Sequence, residues 1–164
     1  MKDKKQAVYD RLWALGVAFA VTEHPAVYTI DEMDSLGITL DGDVLKNLFL
    51  RDAKGKRHFL VALDKEKHAN LDALRGQLES SKLSFASEER LERYLGLKKG
   101  AVTPLGVFQD TAGAVEVAFD RSLIGRAKVG VHPNDNTATV WLSFEDLVGV
   151  IEASGHPVRY VEVE

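Results

Sequence analysis

Three stretches of this chain hold residue types whose spacing could do chemistry. Lys46 interrupts an otherwise apolar run, Val44-Leu45-Lys46-Asn47-Leu48-Phe49-Leu50. An ammonium is rarely left buried without a partner. A lysine inside a strand therefore either packs its stem while its head reaches solvent or a carboxylate, or anchors an anion or hydroxyl. Asn47 follows directly. Two-residue alternation sends its side chain to the opposite face, leaving its main-chain amide as the group able to serve the same site. The second stretch is Lys98-Lys99-Gly100-Ala101-Val102-Thr103-Pro104. Glycine lets backbone approach a ligand closely, proline stiffens the far end, and the lysines favour a phosphate. The same composition also suits an ordinary turn with solvated lysines. The third is His132, which ends an apolar strand just before Pro133-Asn134 and could stabilise that turn or act on a substrate. Asn134, Asp135 and Asn136 suit the turn itself. His24, His58, His68 and His156 show no metal-ligand spacing with His132. His24 and His156 each precede a proline and read as structural.

These residues need elements to hold them. Residues Val44–Asp52 and His58–Leu63 are rich in residues suited to a pleated surface, and Ala53-Lys54-Gly55 between them predicts a hairpin. Before it, Asp3–Leu15 reads as a helix stopped by Gly16, Val17–Thr22 as a strand, and Thr29–Met33 as a short helix closed by Gly37. A loop, Ile38–Asp43, leads into the hairpin, and Asp64–His68 leaves it as another. Asn70 caps a helix carrying Leu71, Leu74 and Leu78, and Ser87 opens one carrying Leu91, Tyr94 and Leu95. Lys82–Ala86 between them is a short strand. Further strands are expected at Gly106–Phe108, Ala114–Phe119, Ala127–His132 and Thr137–Ser143, with a single helical turn at Arg121–Gly125. Ser143 then caps a helix through Ile151, and Val158–Val163 is a last strand. Hairpin-length links between strands favour an α+β chain over a doubly wound parallel one.

Composition narrows the classes. The 164 residues are enough for one well-filled core, so a single domain spanning 1–164 is expected. With no cysteine, disulfides, thiolate metal sites and cysteine nucleophiles are excluded, and the cytoplasm is the default compartment. No apolar run approaches the roughly 20 residues of a membrane span. A net charge of −4 argues against a sequence-blind nucleic-acid binder, while leaving room for a local basic patch gripping one end of an RNA. There is no phosphate-binding glycine loop, zinc spacing or nucleophile elbow.

Lys46-Asn47-Leu48-Phe49-Leu50, Gly100-Ala101-Val102-Thr103-Pro104 and Val131-His132-Pro133-Asn134-Asp135-Asn136-Thr137-Ala138-Thr139-Val140 follow one another in an order that resembles the bacterial YbaK and prolyl-tRNA-synthetase-associated editing domains. The similarity is closest to the free-standing editing proteins and runs from His24-Pro25-Ala26-Val27-Tyr28 to the C-terminal helix and strand. It implies an α+β fold with a mixed, largely antiparallel, barrel-like sheet flanked by helices. It implies no metal and no cofactor. The activity it implies is hydrolysis of the ester joining a wrong amino acid to the terminal adenosine of tRNA(Pro). The Lys46–Leu50 form of the lysine motif favours alanine over cysteine as that amino acid; a non-catalytic module binding the tRNA end would keep the same motifs.

On this resemblance Lys46 holds the terminal nucleotide. Gly100 and Pro104 mark a glycine-x-x-x-proline loop whose backbone, with Ala101, Val102 and Thr103, holds the aminoacyl end. His132 matches a histidine near the pocket and Asn47 the residue after the lysine, while Val27, Ile30 and Met33 are expected in the pocket wall. A ribose hydroxyl of the tRNA helps to position water, so no protein nucleophile is required. The expected partner is the aminoacyl end of a mischarged tRNA, with room for transient contact with prolyl-tRNA synthetase and none with a membrane.

Overall fold

Short polar side chains start every α-helix. The computed structural model describes residues 3–163. Asp3 accepts from the Gln6 N–H to open α1 (Lys4–Ala14), and Thr29 accepts from Glu32 to open α2 (Ile30–Ser35). Asn70, Ser87 and Ser143 do the same for α3 (Leu71–Gln77), α4 (Glu88–Leu95) and α5 (Phe144–Ala153). Each cap satisfies an N–H that has no partner within its helix, an effect of about 1 kcal/mol.

The strands are β1 (Ala20–Glu23), β2 (Asp43–Arg51), β3 (His58–Asp64), β4 (Ser84–Phe85), β5 (Val115–Asp120), β6 (Val129–Val131), β7 (Ala138–Leu142) and β8 (Val158–Val161). They form one mixed sheet in the order β1-β7-β6-β2-β3-β5-β8, with β4 on β2. Antiparallel contacts join β1 to β7, β7 to β6, β2 to β3 and β2 to β4; parallel contacts join β6 to β2, β3 to β5 and β5 to β8. Asp52 closes the β2–β3 turn by accepting from the Lys56 and Arg57 N–H groups at 2.9 and 3.1 Å.

Alternation sorts the strand side chains onto two faces. Leu45 and Phe49 of β2, Val131 of β6 and Val140 of β7 join α1, α4 and α5 in the main core. On the other face, Leu48 and Leu50 join α3 in a second cluster, and Val44 and Trp141 join α2 in a third. Lys46 shares its parity with Val44 and Leu48. It therefore stands on the face where the α2 and α3 clusters leave a gap.

Two expectations are corrected. Gly106–Phe108 is not a strand but part of a 3-10 helix, Pro104–Gln109. Pro104 fits its first turn because it brings no N–H to satisfy, and the Thr103 hydroxyl accepts from the Leu105 N–H at 3.3 Å. The first strand begins at Ala20 rather than Val17, because the Val17 N–H is still held by the Leu12 carbonyl of α1 at 3.1 Å.

Candidate active site

A fork in the sheet opens the cleft. Strands β2 and β6 register only at Asp43↔Val129 and Val44↔Gly130. Beyond that point β2 continues on β3 and β6 on β7, so the two diverge. The cleft between them has a volume of about 280 Å³ and takes lining residues of both parities, Leu45, Lys46 and Asn47 from one strand and Gly130 and Val131 from the other. Because the Asp43 N–H faces β6 and the Phe49 carbonyl faces the same edge, alternation turns the Leu45 and Asn47 main-chain groups toward the fork as well.

The segment before α2 roofs the cleft. Val27 and Asn136 clamp it, with the Val27 N–H donating to the Asn136 carbonyl at 3.2 Å and the Asn136 amide donating back to the Val27 carbonyl at 2.8 Å. Buried Val27 and Met33, with Ile30 packed beside them, form an apolar wall backed by Val44 and Trp141. The Trp141 indole packs against Gly130. A Cβ on that glycine would come within 2.5 Å of the ring, so only glycine allows this wall to close.

Lys46 is half-buried, and its Nζ donates to the Lys67 carbonyl at 3.2 Å. Among the described residues no carboxylate comes within salt-bridge distance of it. Its charge is thus oriented but not neutralised, which favours an anion or a polarised oxygen nearby. Asn47 lines the same cleft; its side-chain amide reaches the Leu45 carbonyl only at 3.4 Å, and its buried Oδ1 has no partner among the described residues.

His132 donates from Nδ1 to the Ala138 carbonyl at 2.9 Å, since a carbonyl can only accept. This assigns the tautomer and leaves Nε2 as a lone-pair acceptor. Burial, with His24 nearby, holds its pKa below the ordinary 6.5, and the Ala138 bond only partly offsets this. His132 is therefore neutral at physiological pH.

Gly100 and Val102 reach the cleft from the opposite side, whereas Ala101, Thr103 and Pro104 are buried behind the wall and do not line it. The Ala101 N–H turns back to the Lys98 carbonyl at 3.0 Å. The N–H groups of Gly100 and Val102 on either side make no hydrogen bond among the described residues, which leaves two donors on a loop at the cleft.

Of the residues picked from sequence, Lys46, Asn47, Gly100, Val102, His132, Val27, Ile30 and Met33 meet here. Tyr28, Thr29 and Thr139 also line the cleft and were not picked. Thr139 lies seven residues beyond His132 in a strand that pattern alone marks as core. Its hydroxyl meets His24 Nε2 at 2.9 Å, and His24 Nδ1 donates to the Pro25 carbonyl at 2.8 Å. His24, read from its proline as structural, thus supports a residue of the cleft wall.

Among the described residues no serine, cysteine or carboxylate lines the cleft. What remains is one cation, a neutral imidazole, the Asn47 amide, the hydroxyls of Tyr28, Thr29 and Thr139, backbone donors and an apolar wall. Such a set can bind and polarise an ester and position water without a serine or cysteine nucleophile.

The profile of the aminoacyl-tRNA editing domain family matches residues 24–150. The chain is 50% identical to the prolyl-tRNA editing protein ProX of Acetoanaerobium sticklandii over 161 residues, 98% of each chain. It is 40% identical to the prolyl-tRNA synthetase associated domain-containing protein 1 of Mus musculus, covering 89% of this chain and 88% of that one. In fold it is similar to a crystal structure described as a candidate trans-editing enzyme for prolyl tRNA synthetase, with a TM-score of 0.75 at 20% identity over 100% of this chain and 98% of the other.

Proposed function

The chain belongs to the aminoacyl-tRNA editing domain family, and from that premise we propose that it is a trans-acting deacylase of mischarged tRNA(Pro), with alanyl-tRNA(Pro) as its substrate. One observation carries the reading. Lys46, an oriented and unneutralised cation, lines a small pocket that has an apolar wall, backbone donors on its far side and, among the described residues, no serine, cysteine or carboxylate.

The need for such an enzyme follows from pocket energetics. A synthetic site shaped for proline cannot strongly reject the smaller alanine, because the lost apolar contact is worth only about 1–3 kcal/mol. A second site that admits alanine and excludes proline supplies the missing selectivity. Val27, Ile30 and Met33 provide the wall of that sieve.

In the reaction, Lys46 fixes the terminal phosphate or ribose. The Gly100 and Val102 N–H groups receive the ester carbonyl oxygen and stabilise the charge that develops on it. A water, positioned with help from a ribose hydroxyl of the tRNA, adds to the carbonyl carbon. The bond to the ribose oxygen then breaks, that oxygen takes up a proton, and free alanine and tRNA leave. Neutral His132 shapes the site and keeps Nε2 as an acceptor. The substrate is released by prolyl-tRNA synthetase, with which the chain makes transient contact.

Multiple-turnover deacylation of alanyl-, cysteinyl- and prolyl-tRNA(Pro) tests the reading. The alanyl ester is hydrolysed fastest and the prolyl ester is spared. Faster cysteinyl turnover would move the substrate assignment, and binding without turnover would make the chain a tRNA-end binding module.

A further inference from the structure

Tyr28 is an exposed aromatic with a fixed backing. It is 61% exposed, although its neighbour Val27 is only 2% exposed. Its main chain is held on both sides, by the Val27–Asn136 clamp and by Thr29 at the start of α2, and its own N–H donates to Glu32 Oε2 at 3.2 Å. One side of the ring lies against Gly100. A Cβ there would sit 2.5 Å from Tyr28 Cδ1 and 3.1 Å from Cε1. The glycine of the loop is thus a seat for this ring, as well as a residue whose φ of +86° favours glycine.

A half-open aromatic, backed on one side, at the mouth of a nucleotide-end site has an evident use. The cleft, at about 280 Å³, lies at the lower edge of the ~300–1,000 Å³ typical of ligand pockets. That room suits an aminoacyl ester with its ribose and leaves the base outside, at the mouth, where Tyr28 stands. Exposed Lys98 and Lys99 immediately precede Gly100, and among the described residues their one ion pair is a 4.0 Å contact from Lys99 to Glu88, so the loop that carries the seat is basic. Aromatic faces flanked by basic side chains are how proteins hold unpaired nucleotides, stacking a base regardless of its identity.

We propose that Tyr28, seated on Gly100, is the stacking platform for the terminal base of the tRNA. This rests on the reading of the cleft as the site of an aminoacyl-tRNA end and adds a base subsite to it. Stacking fixes the base and so aims the ribose ester into the cleft, which makes Tyr28 a positioning residue for binding and not for the chemical step.

The test combines two measurements on wild type, Tyr28→Phe and Tyr28→Ala. In steady-state deacylation of alanyl-tRNA(Pro), Tyr28→Ala raises KM about tenfold, within the range for loss of one base–aromatic stack, with kcat little changed, and Tyr28→Phe restores the wild-type KM. Removing the terminal base from the substrate raises the wild-type KM by a similar factor but adds nothing in Tyr28→Ala. In the second measurement, an uncharged RNA hairpin ending in a fluorescent adenine analogue is quenched by wild type and Tyr28→Phe and not by Tyr28→Ala. An unchanged KM in Tyr28→Ala, or effects of base removal and Tyr28→Ala that simply multiply, would overturn the platform while leaving the deacylase reading intact. A wild type that hydrolyses no mischarged tRNA overturns the deacylase reading. The quenching measurement then decides the platform by itself.

Discussion

The imidazoles of His24 and His132 stand 6.1 Å apart, centroid to centroid, at the edge of the cleft. Both carry their proton on Nδ1, bound to the Pro25 and Ala138 carbonyls. A second positive charge at this separation would be repelled, and burial already disfavours the charged form of His132.

The sign of the resulting pH dependence follows. His132 has its pKa lowered from 6.5 on folding, as does buried His58, chiefly through burial and then the Arg90 charge. Below 6.5 the unfolded chain therefore binds protons that the folded chain does not, and stability is lost as pH falls through that window. The urea midpoint of the wild type should drop between about pH 7.5 and 5.5, and His132→Gln should drop less over the same range. Equal drops in the two proteins would contradict the assignment to His132.

Asp110 and His156 form a buried joint outside the cleft lining. Asp110 accepts from His156 Nε2 at 2.8 Å and from the Ala114 and Val115 N–H groups at 3.1 and 2.8 Å. Asp110→Ala strands those donors in the interior and should cost about 3 kcal/mol, as expected for breaking a buried polar pair. Chemical denaturation measures it. A loss within about 0.5 kcal/mol, typical of surface changes, would show that the joint carries no stability.

Gly100→Ala meets two obstacles, a left-handed backbone that costs an L-residue about 1–2 kcal/mol and the Tyr28 ring in the path of the new methyl. The variant should lose stability by about that amount and lose at least about tenfold in kcat/KM as the loop donors shift. Unchanged kcat/KM would mean that the loop does not position the ester.

Ile30 packs at the edge of the α2 cluster and lines the cleft. Ile30→Ala enlarges the pocket, so the ratio of prolyl- to alanyl-tRNA(Pro) deacylation should rise about tenfold, the scale of one or two methylenes of discrimination. A ratio that stays constant would remove Ile30 from the sieve.

How legible this was in the sequence depends on the range of the interaction that fixes each feature. The β2–β3 hairpin and the caps at Asn70, Ser87 and Ser143 are set by neighbours a few residues away, and they could be read directly. The Pro104–Gln109 turn was misread because an apolar trio looks like a strand unless the proline before it is given its weight. The fork between β2 and β6 joins segments over 80 residues apart, and no local pattern announces it. Lys46 and His132 were visible through the order of their motifs. Tyr28 and Thr139 were not, because the seat on Gly100 and the bond to His24 exist only after folding.

The proposed hold of Lys46 on the aminoacyl end, in a cleft lined by no serine, cysteine or carboxylate among the described residues, is what the deacylase depends on. Its most direct test is multiple-turnover deacylation of alanyl-tRNA(Pro) by wild type and Lys46→Ala, with the fold of each checked by thermal melting. The wild type should turn over, and Lys46→Ala should melt near the wild type yet fall about 100-fold in rate, on the scale of removing one oriented electrostatic contact from a transition state. Deacylation by Lys46→Ala at the wild-type rate would contradict the account.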